Sequence, residues 1–347
     1  MFRRVMLAVD QTLPSFGHEL NHVVIEELLD KAKVPGWTKA GVFSWKGRGR
    51  NAGKELEKAA SEANADLIHI TSQEHGHLAP RKTSTPVVIS IHDLFDHRPR
   101  SMEAGDTVVT LGARKPSQSR AKQIGSSSSG MSRANLILCS SNKTLEDSRT
   151  MFPSSRSILV RDSIDADFWD PARNPRSRET IGRFDEPDKL LLVSVGGEDK
   201  RWRNQFLDRV MQLLPKGLSD EINLVRIGTE RLDDEEIAAA YQHAEAMLYP
   251  GVSVGFRCPP LEAMAAGCPV LASNLPNHAE ILRDENILHP SDADAWASAL
   301  VSIHNDWRRA GRVSRLNDEK LALFARSIMG RDSHGNSLSE AYGLALQ

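Results

Sequence analysis

Short apolar runs alternate along this chain with longer stretches in which apolar residues recur every three or four positions. The runs suit strands buried on both faces and the longer stretches suit helices with one apolar face. Their regular alternation is the pattern of parallel α/β sheets. Val5–Val9 reads as the first strand. A helix over His18–Lys33 follows, with Leu20, Val23, Val24, Leu28 and Leu29 on one face. Ala40–Trp45, Asp66–Thr71, Pro86–Ile91, Val108–Leu111, Leu136–Ser140 and Ser157–Val160 continue the strand series. Helices are expected over Gly53–Asn64 and from Lys143 to just before Pro153. Within Ala113–Arg133 the run SSSSG suggests a mobile loop or a frayed helix, and His75 and His77, flanking a glycine, suggest another loop.

The polar, proline-containing stretch RDSIDADFWDPARNPRSRET interrupts the alternation, so the domain junction is placed within it. Strands then resume at Leu190–Val195, Ile222–Ile227 and Ala246–Tyr249. Helices are expected over Trp202–Leu214, Asp233–Gln242, Ala279–Leu282, Ala293–Ile303, Leu316–Ile328 and Ser337–Leu346. The expected organisation is one Rossmann-like domain over 1–168 and a second over 169–330. A terminal helix, 331–347, is expected to pack back on the first.

Composition narrows the class. At 347 residues, 40% hydrophobic and 26% charged, the chain is long enough for two soluble domains. Cys139, Cys258 and Cys268 lack metal-ligand spacing, and an odd count argues against a disulfide framework. The N-terminus has no signal-peptide core and no stretch approaches membrane-spanning length, so a cytoplasmic location is expected. The net charge of −2 conceals an asymmetry: residues 1–150 hold 21 Lys/Arg against 16 Asp/Glu, and the remainder 23 against 30. A basic first half suits an anionic acceptor or peripheral contact with the inner face of a membrane, or else a scattered solvated surface. No tract is dense enough for nucleic acid.

Chemistry is sought where parallel sheets put it, at the carboxyl ends of strands. There stand His92 and Asp93, directly after Pro86–Ile91, and Ser140, which closes its own strand. Gly17 lies in the first strand-to-helix loop, where a ligand would need close backbone approach. In the second half Gly196 ends a strand and opens the loop GGEDKRWRN, whose Lys200, Arg201 and Arg203 suit a diphosphate or a plain solvated surface. The stretch YPGVSVGFRCPPLEAMAAGCPVLASNL carries a loop into a helix N-terminus, where unpaired N–H groups favour an anion. Glu262 in its first turn either grips ribose hydroxyls or balances the helix dipole. The pairs Asp165/Asp167 and Asp292/Asp294 have metal-ligand spacing but sit where capping aspartates are common, so no metal site is assigned.

Six segments in order resemble the GT-B glycosyltransferases, specifically retaining family 4, the glycosyl transferases group 1. They are VVISIHDLF, ANLILCSSNKTLED, RDSIDADFWDP, LLLVSVGGEDKRWRN, DDEEIAAAYQHAEAMLYP and GFRCPPLEAMAAGCPVLAS. The resemblance implies an α/β fold of two Rossmann-like domains with parallel sheets facing a cleft. It implies a nucleotide diphosphate sugar as donor substrate, no other cofactor and no metal. By the match, Gly196, Lys200 and Arg203 attend the diphosphate, Gly255, Phe256, Arg257 and Cys258 form the phosphate loop, and Glu262 holds the ribose. His92 faces the transferred sugar, with Gly17, Asp93 and Ser140 on the acceptor side.

Three positions depart from the family pattern. Val254 replaces a carboxylate that contacts the donor sugar, Arg257 stands where the loop has its second glycine, and Gly197 replaces a basic residue. The expected function is hexosyl transfer to a hydroxyl acceptor on a glycan, lipid-linked carrier or small molecule. Val254 and Gly197 motivate one alternative, a catalytically idle GT-B protein that binds a nucleotide or a partner transferase.

Overall fold

The computed structural model describes residues 2–11, 19–46, 51–104, 107–197, 199–252, 259–282 and 286–347. The first stretch of chain forms strand β1 (Arg3–Asp10), helix α1 (Glu19–Asp30), β2 (Trp37–Trp45), α2 (Ala52–Glu62), β3 (Leu67–Ile70) and β4 (Val87–Ile91). A paired β5 (Arg100–Ala104) and β6 (Thr107–Leu111) follow, then α3 (Gln118–Met131), β7 (Leu136–Cys139), α4 (Asn142–Met151) and β8 (Arg156–Leu159). The second stretch runs through α5 (Ala166–Trp169), β9 (Leu190–Val195), α6 (Asn204–Gln212), β10 (Ile222–Ile227), α7 (Asp234–His243) and β11 (Ala246–Tyr249). It continues through α8 (Pro259–Ala265), β12 (Val270–Ser273), α9 (Pro276–Ala279), β13 (Ile287–Leu288), α10 (Ala293–Arg309), α11 (Glu319–Met329) and α12 (Arg331–Ala345).

The chain divides into two compact units, residues 1–100, 110–163 and 331–347 in one and 101–109 and 164–330 in the other. The first holds a parallel sheet in the order β2-β1-β3-β4-β7-β8. Successive side chains along a strand point to opposite faces, and here both faces are buried. Met6, Ile68, Ile89 and Ile137 face one apolar layer, shared with Leu56 of α2 and Met131 of α3. Val5, Leu67, Val88 and Leu136 face the other, shared with Leu28 of α1 and Leu338 of α12. The second unit repeats the scheme in the order β10-β9-β11-β12-β13, all parallel. Leu191, Val193 and Met247 meet Ala240 of α7 and Met264 of α8, while Leu190, Leu192 and Leu248 meet Leu207 of α6 and Trp296 of α10. Continuous apolar strands between two helical layers are what a doubly wound sheet requires.

Several elements differ from expectation. The division falls at 163/164 rather than 168/169, because Ile164 and Ala166 are buried in the second unit's core and Ile164 donates its N–H to Met329 O at 2.9 Å. Residues 331–347 pack with the first unit, where Tyr342 stands edge-on to Trp37 and meets His69 Nδ1 through its hydroxyl at 2.8 Å. The Ser-rich run is neither loop nor frayed end. It lies inside α3, capped by Ser117, whose hydroxyl accepts the Arg120 N–H. Small residues are needed there because α3 lies directly on a 3-10 turn, Gln73–Leu78. A Cβ on Gly130 would stand 1.7 Å from Gly76 O, and one on Gly76 would stand 2.8 Å from Ser127 O. His75 and His77 are accordingly held in that turn. Cys139 and Cys268 are buried free thiols, and Cys258 lies outside the described residues. Among the described residues no helix is long and apolar enough to cross a membrane.

The two glycines of α3 should respond with opposite signs. Gly125 has nothing within 4 Å of an added Cβ, so Gly125→Ala should stabilise by about 0.5–1 kcal/mol through helix propensity. Gly130→Ala should destabilise by about 1–3 kcal/mol, because backbone must shift to admit the methyl group. Denaturation midpoints of the two variants against the parent chain measure both.

Candidate functional site

In both units the first strand lies inside the sheet, with its sequence neighbour on one side and a later strand on the other: β2 and β3 flank β1, and β10 and β11 flank β9. The chain leaves the two adjacent strands in opposite directions, and ligands of open α/β sheets bind beside that switch point.

In the second unit the switch point lies between β9 and β11. Gly196 ends β9, and its N–H donates to Ile227 O at 2.7 Å. The glycine makes room for the neighbouring loop, since a Cβ would meet Thr229 Oγ1 at 2.5 Å. Asp199 caps a 3-10 turn, Lys200–Trp202, and its carboxylate holds the Arg201 guanidinium. Two cations are deployed differently. Lys200 is exposed and makes no ion pair among the described residues. Arg203 is buried, in the left-handed backbone region at φ +56°, with its guanidinium 4.2 Å from the Phe206 ring and Nη1 donating to Pro250 O at 3.2 Å. Burial brings its pKa down to about 10, so it keeps its charge at neutral pH. A second bond, Val252 N–H to Arg201 O at 2.9 Å, joins the same two loops, and Trp202 stands edge-on to Tyr249.

The seam therefore fixes the basic loop after β9 against Pro250 and Val252, which follow β11. Gly255, Phe256, Arg257, Cys258 and the Val254 departure lie outside the described residues, as does Gly17. Glu262 sits half-buried in the first turn of α8. Asp165 and Asp292 cap α5 and α10, and Asp167 pairs with Arg326 at 2.5 Å. Among the described residues no three His, Cys, Asp or Glu side chains gather as a metal site.

In the first unit His92 follows β4 and is buried. Its Nδ1 lies 2.9 Å from Asp162 Oδ2 and its Nε2 lies 3.2 Å from Thr71 O. Both partners are acceptors, so satisfying both requires a proton on each nitrogen. Burial opposes that charge, but the Asp162 carboxylate and the Thr71 carbonyl outweigh it, and the imidazole pKa is raised. Ser140 donates to His92 O at 2.9 Å, clasping the ends of β4 and β7. Asp93 turns back on the chain to accept the Phe95 N–H at 3.1 Å, and burial raises its pKa.

Three groups here went unselected in the sequence. Asp162 is 70 positions from His92 and lies in the junction segment, so only the fold pairs them. Asp10 closes the apolar β1 and is buried, with its carboxylate 2.9 Å from His77 Nε2. A charge closing an apolar strand was its legible signal. His75 is 8% exposed, and among the described residues neither ring nitrogen has a hydrogen-bond partner. Each such orphan costs about 1–3 kcal/mol. Burial, opposed only in part by Asp10, lowers the His75 pKa to about 4, so its ring is neutral.

With this geometry in view, residues 179–306 match the family model described as glycosyl transferases group 1. O-antigen chain mannosyltransferase B of Escherichia coli is 32% identical over 196 residues, 49% of this chain and 51% of that protein. The phosphatidyl-myo-inositol mannosyltransferase of Mycolicibacterium smegmatis is 32% identical over 163 residues, 42% of this chain and 41% of that one. The chain thus spans about half the length, or less, of these relatives. Among solved structures, the sucrose-phosphate synthase of Thermosynechococcus elongatus aligns at TM-score 0.65 with 14% identity, covering 98% of each chain. Anabaena HepE in complex with UDP aligns at TM-score 0.65 with 13% identity, covering 99% of this chain and 100% of that one. The fold is GT-B, an α/β arrangement of two parallel sheets.

The His92–Asp162 pair has a definite pH signature. His92 should titrate above the ordinary histidine value near 6.5, and Asp162→Asn, leaving burial opposed only by the Thr71 carbonyl and the Asp93 charge, should lower it from there. Because the folded pKa is the raised one, the pair's stabilisation is full below the unfolded value and is lost as pH rises through the folded value. Histidine ring NMR titration and pH-dependent denaturation of the two proteins measure the shift and the sign.

Proposed function

We propose that this chain, whose residues 179–306 belong to glycosyl transferases group 1, transfers a hexosyl group from a nucleotide diphosphate sugar to a hydroxyl acceptor. The transfer retains the anomeric configuration and uses no metal. What carries the reading is the seam at the β9/β11 switch point. It joins the basic loop to the loop that feeds the Glu262 helix, through Arg203 to Pro250 and Val252 to Arg201.

In this reading the C1–oxygen bond breaks with its electron pair leaving on the diphosphate. The acceptor oxygen bonds C1 from the same face and gives its proton to a diphosphate oxygen. Negative charge grows on the leaving group, and fixed cations lower the barrier by meeting it. Lys200 is the contacting cation. Arg203, committed to Pro250, holds the two loops and adds its charge from beneath. Backbone N–H groups of Arg257 and Cys258 cradle phosphate, and Glu262 accepts from the ribose hydroxyls. His92 faces the transferred sugar. The relatives named above are mannosyltransferases, which makes a mannosyl donor the first to test.

Calorimetry with UDP, GDP, ADP and their sugars should find one that binds the pure protein. Glu262→Ala should weaken that binding by about 1.5–3 kcal/mol, roughly 10- to 150-fold. Unchanged affinity would remove Glu262 from the ribose. Product anomers should match the donor's configuration, and inversion or a mixture would overturn retention. A nucleotide bound with no turnover of any donor would favour the idle-protein alternative. His92→Ala should lower kcat more than it changes the donor KM.

A further inference from the structure

Gly197 is one of the three departures from the family pattern, and its surroundings give it a physical reason. It follows Gly196 at the end of β9, as Gly251 follows Pro250 at the end of β11. Between these two glycines lies the indole of Trp202, the last residue of the 3-10 turn that carries Lys200. A Cβ on Gly197 would stand 3.2 Å from Trp202 Cδ1 and 3.3 Å from Nε1, while one on Gly251 would stand 3.9 Å from Cε3. The ring therefore spans the β9/β11 switch point, with its N–H edge toward Gly197. Tyr249 holds it edge-on at 6.4 Å, and its backbone is fixed by the Trp202 N–H to Asp199 O at 3.0 Å. Trp202 is half-buried, and its Nε1–H has no hydrogen-bond partner among the described residues yet is not closed off from solvent. Any side chain at 197 would begin against that N–H. Glycine, which also suits the φ of +142° there, leaves it uncovered.

We propose that the Trp202 indole N–H donates to a phosphate oxygen of a diphosphate bound at the β9/β11 switch point, a neutral donor serving where the family pattern has a cation at 197. An indole N–H only donates, so its partner is an acceptor. The exposed Lys200 on the same turn makes an anionic acceptor the favoured one. A hydrogen bond to a charged acceptor is roughly twice as strong as one between neutral groups. The ring is already fixed and loses little freedom on binding, whereas a lysine or arginine at 197 would have to order a long side chain. On the transferase reading, which this inference deepens, the diphosphate is the leaving group of the donor. Gly197 then marks a changed set of phosphate donors rather than a lost one.

The test uses the full chain with 15N-labelled indoles, titrated with UDP, GDP and ADP, with the nucleoside of each base, and with inorganic pyrophosphate. The Trp202 Nε1–H signal, identified by its loss in folded Trp202→Phe or Trp202→Tyr, should move downfield saturably with the nucleotide that calorimetry finds to bind. The matching nucleoside should leave it in place. Trp202→Phe keeps an aromatic ring and removes the N–H, and should bind that nucleotide about tenfold more weakly. That loss should be the same at low and high salt, because no charge is removed, whereas the loss in Lys200→Met should shrink as salt screens it. Nucleotide binding with an unmoved Trp202 signal, a signal moved equally by the nucleoside, or unchanged affinity in Trp202→Phe overturns the proposal and spares the transferase. A saturable shift with pyrophosphate but no binding of any nucleotide upholds the indole donor and sinks the transferase. No shift with any diphosphate and no nucleotide bound overturns both.

Discussion

Two adjacent parallel strands whose following chains turn opposite ways leave an open place at their carboxyl ends, and each unit of this protein is arranged around one. In the second unit that place is spanned by the bond from Arg203 to Pro250 O. A guanidinium buried against Phe206 is costly to desolvate, as its lowered pKa records. Once fixed, it locks the loop after β9 to Pro250, the first residue after β11. Arg203 can lie there because its own backbone adopts the left-handed conformation at the start of α6, uncommon for a residue with a side chain.

The first unit solves the same problem with neutral and paired groups. Here His92, Asp162 and Thr71 O close one polar knot, while His69, Ser90 and Tyr342 close another beneath α12. Both knots are satisfied, so both stiffen the strand ends. The Gln73–Leu78 turn differs in being firmly held by its backbone and by Arg120 while leaving imidazole nitrogens unspent.

Much of this was legible in the chain. Apolar runs bounded by polar turns located most of the strands near their observed places, because burial on both faces leaves little freedom in composition. His92, Asp93, Ser140 and Gly196 were found at strand ends for the same reason. Their surroundings were not legible: Ser140 and Gly196 turn out to serve the packing of neighbouring strand ends, and His92 is occupied at both nitrogens. The Ser-rich run misled because local propensity sees only a weak helix former. The requirement for small residues comes from Gly76, more than fifty positions away.

The order of strands and helices, the two-unit plan and the resemblance of residues 179–306 to a family model were determined by sequence alone, since each depends on periodicity or on short contiguous motifs. Tertiary structure decided which charges meet. Asp162 with His92, Asp10 with His77 and Arg203 with Pro250 are pairs separated by 47 to 70 positions. The physical reason is that a parallel sheet gathers the carboxyl ends of distant strands at one edge, where low dielectric makes every pairing or orphan count, and no local pattern carries that information.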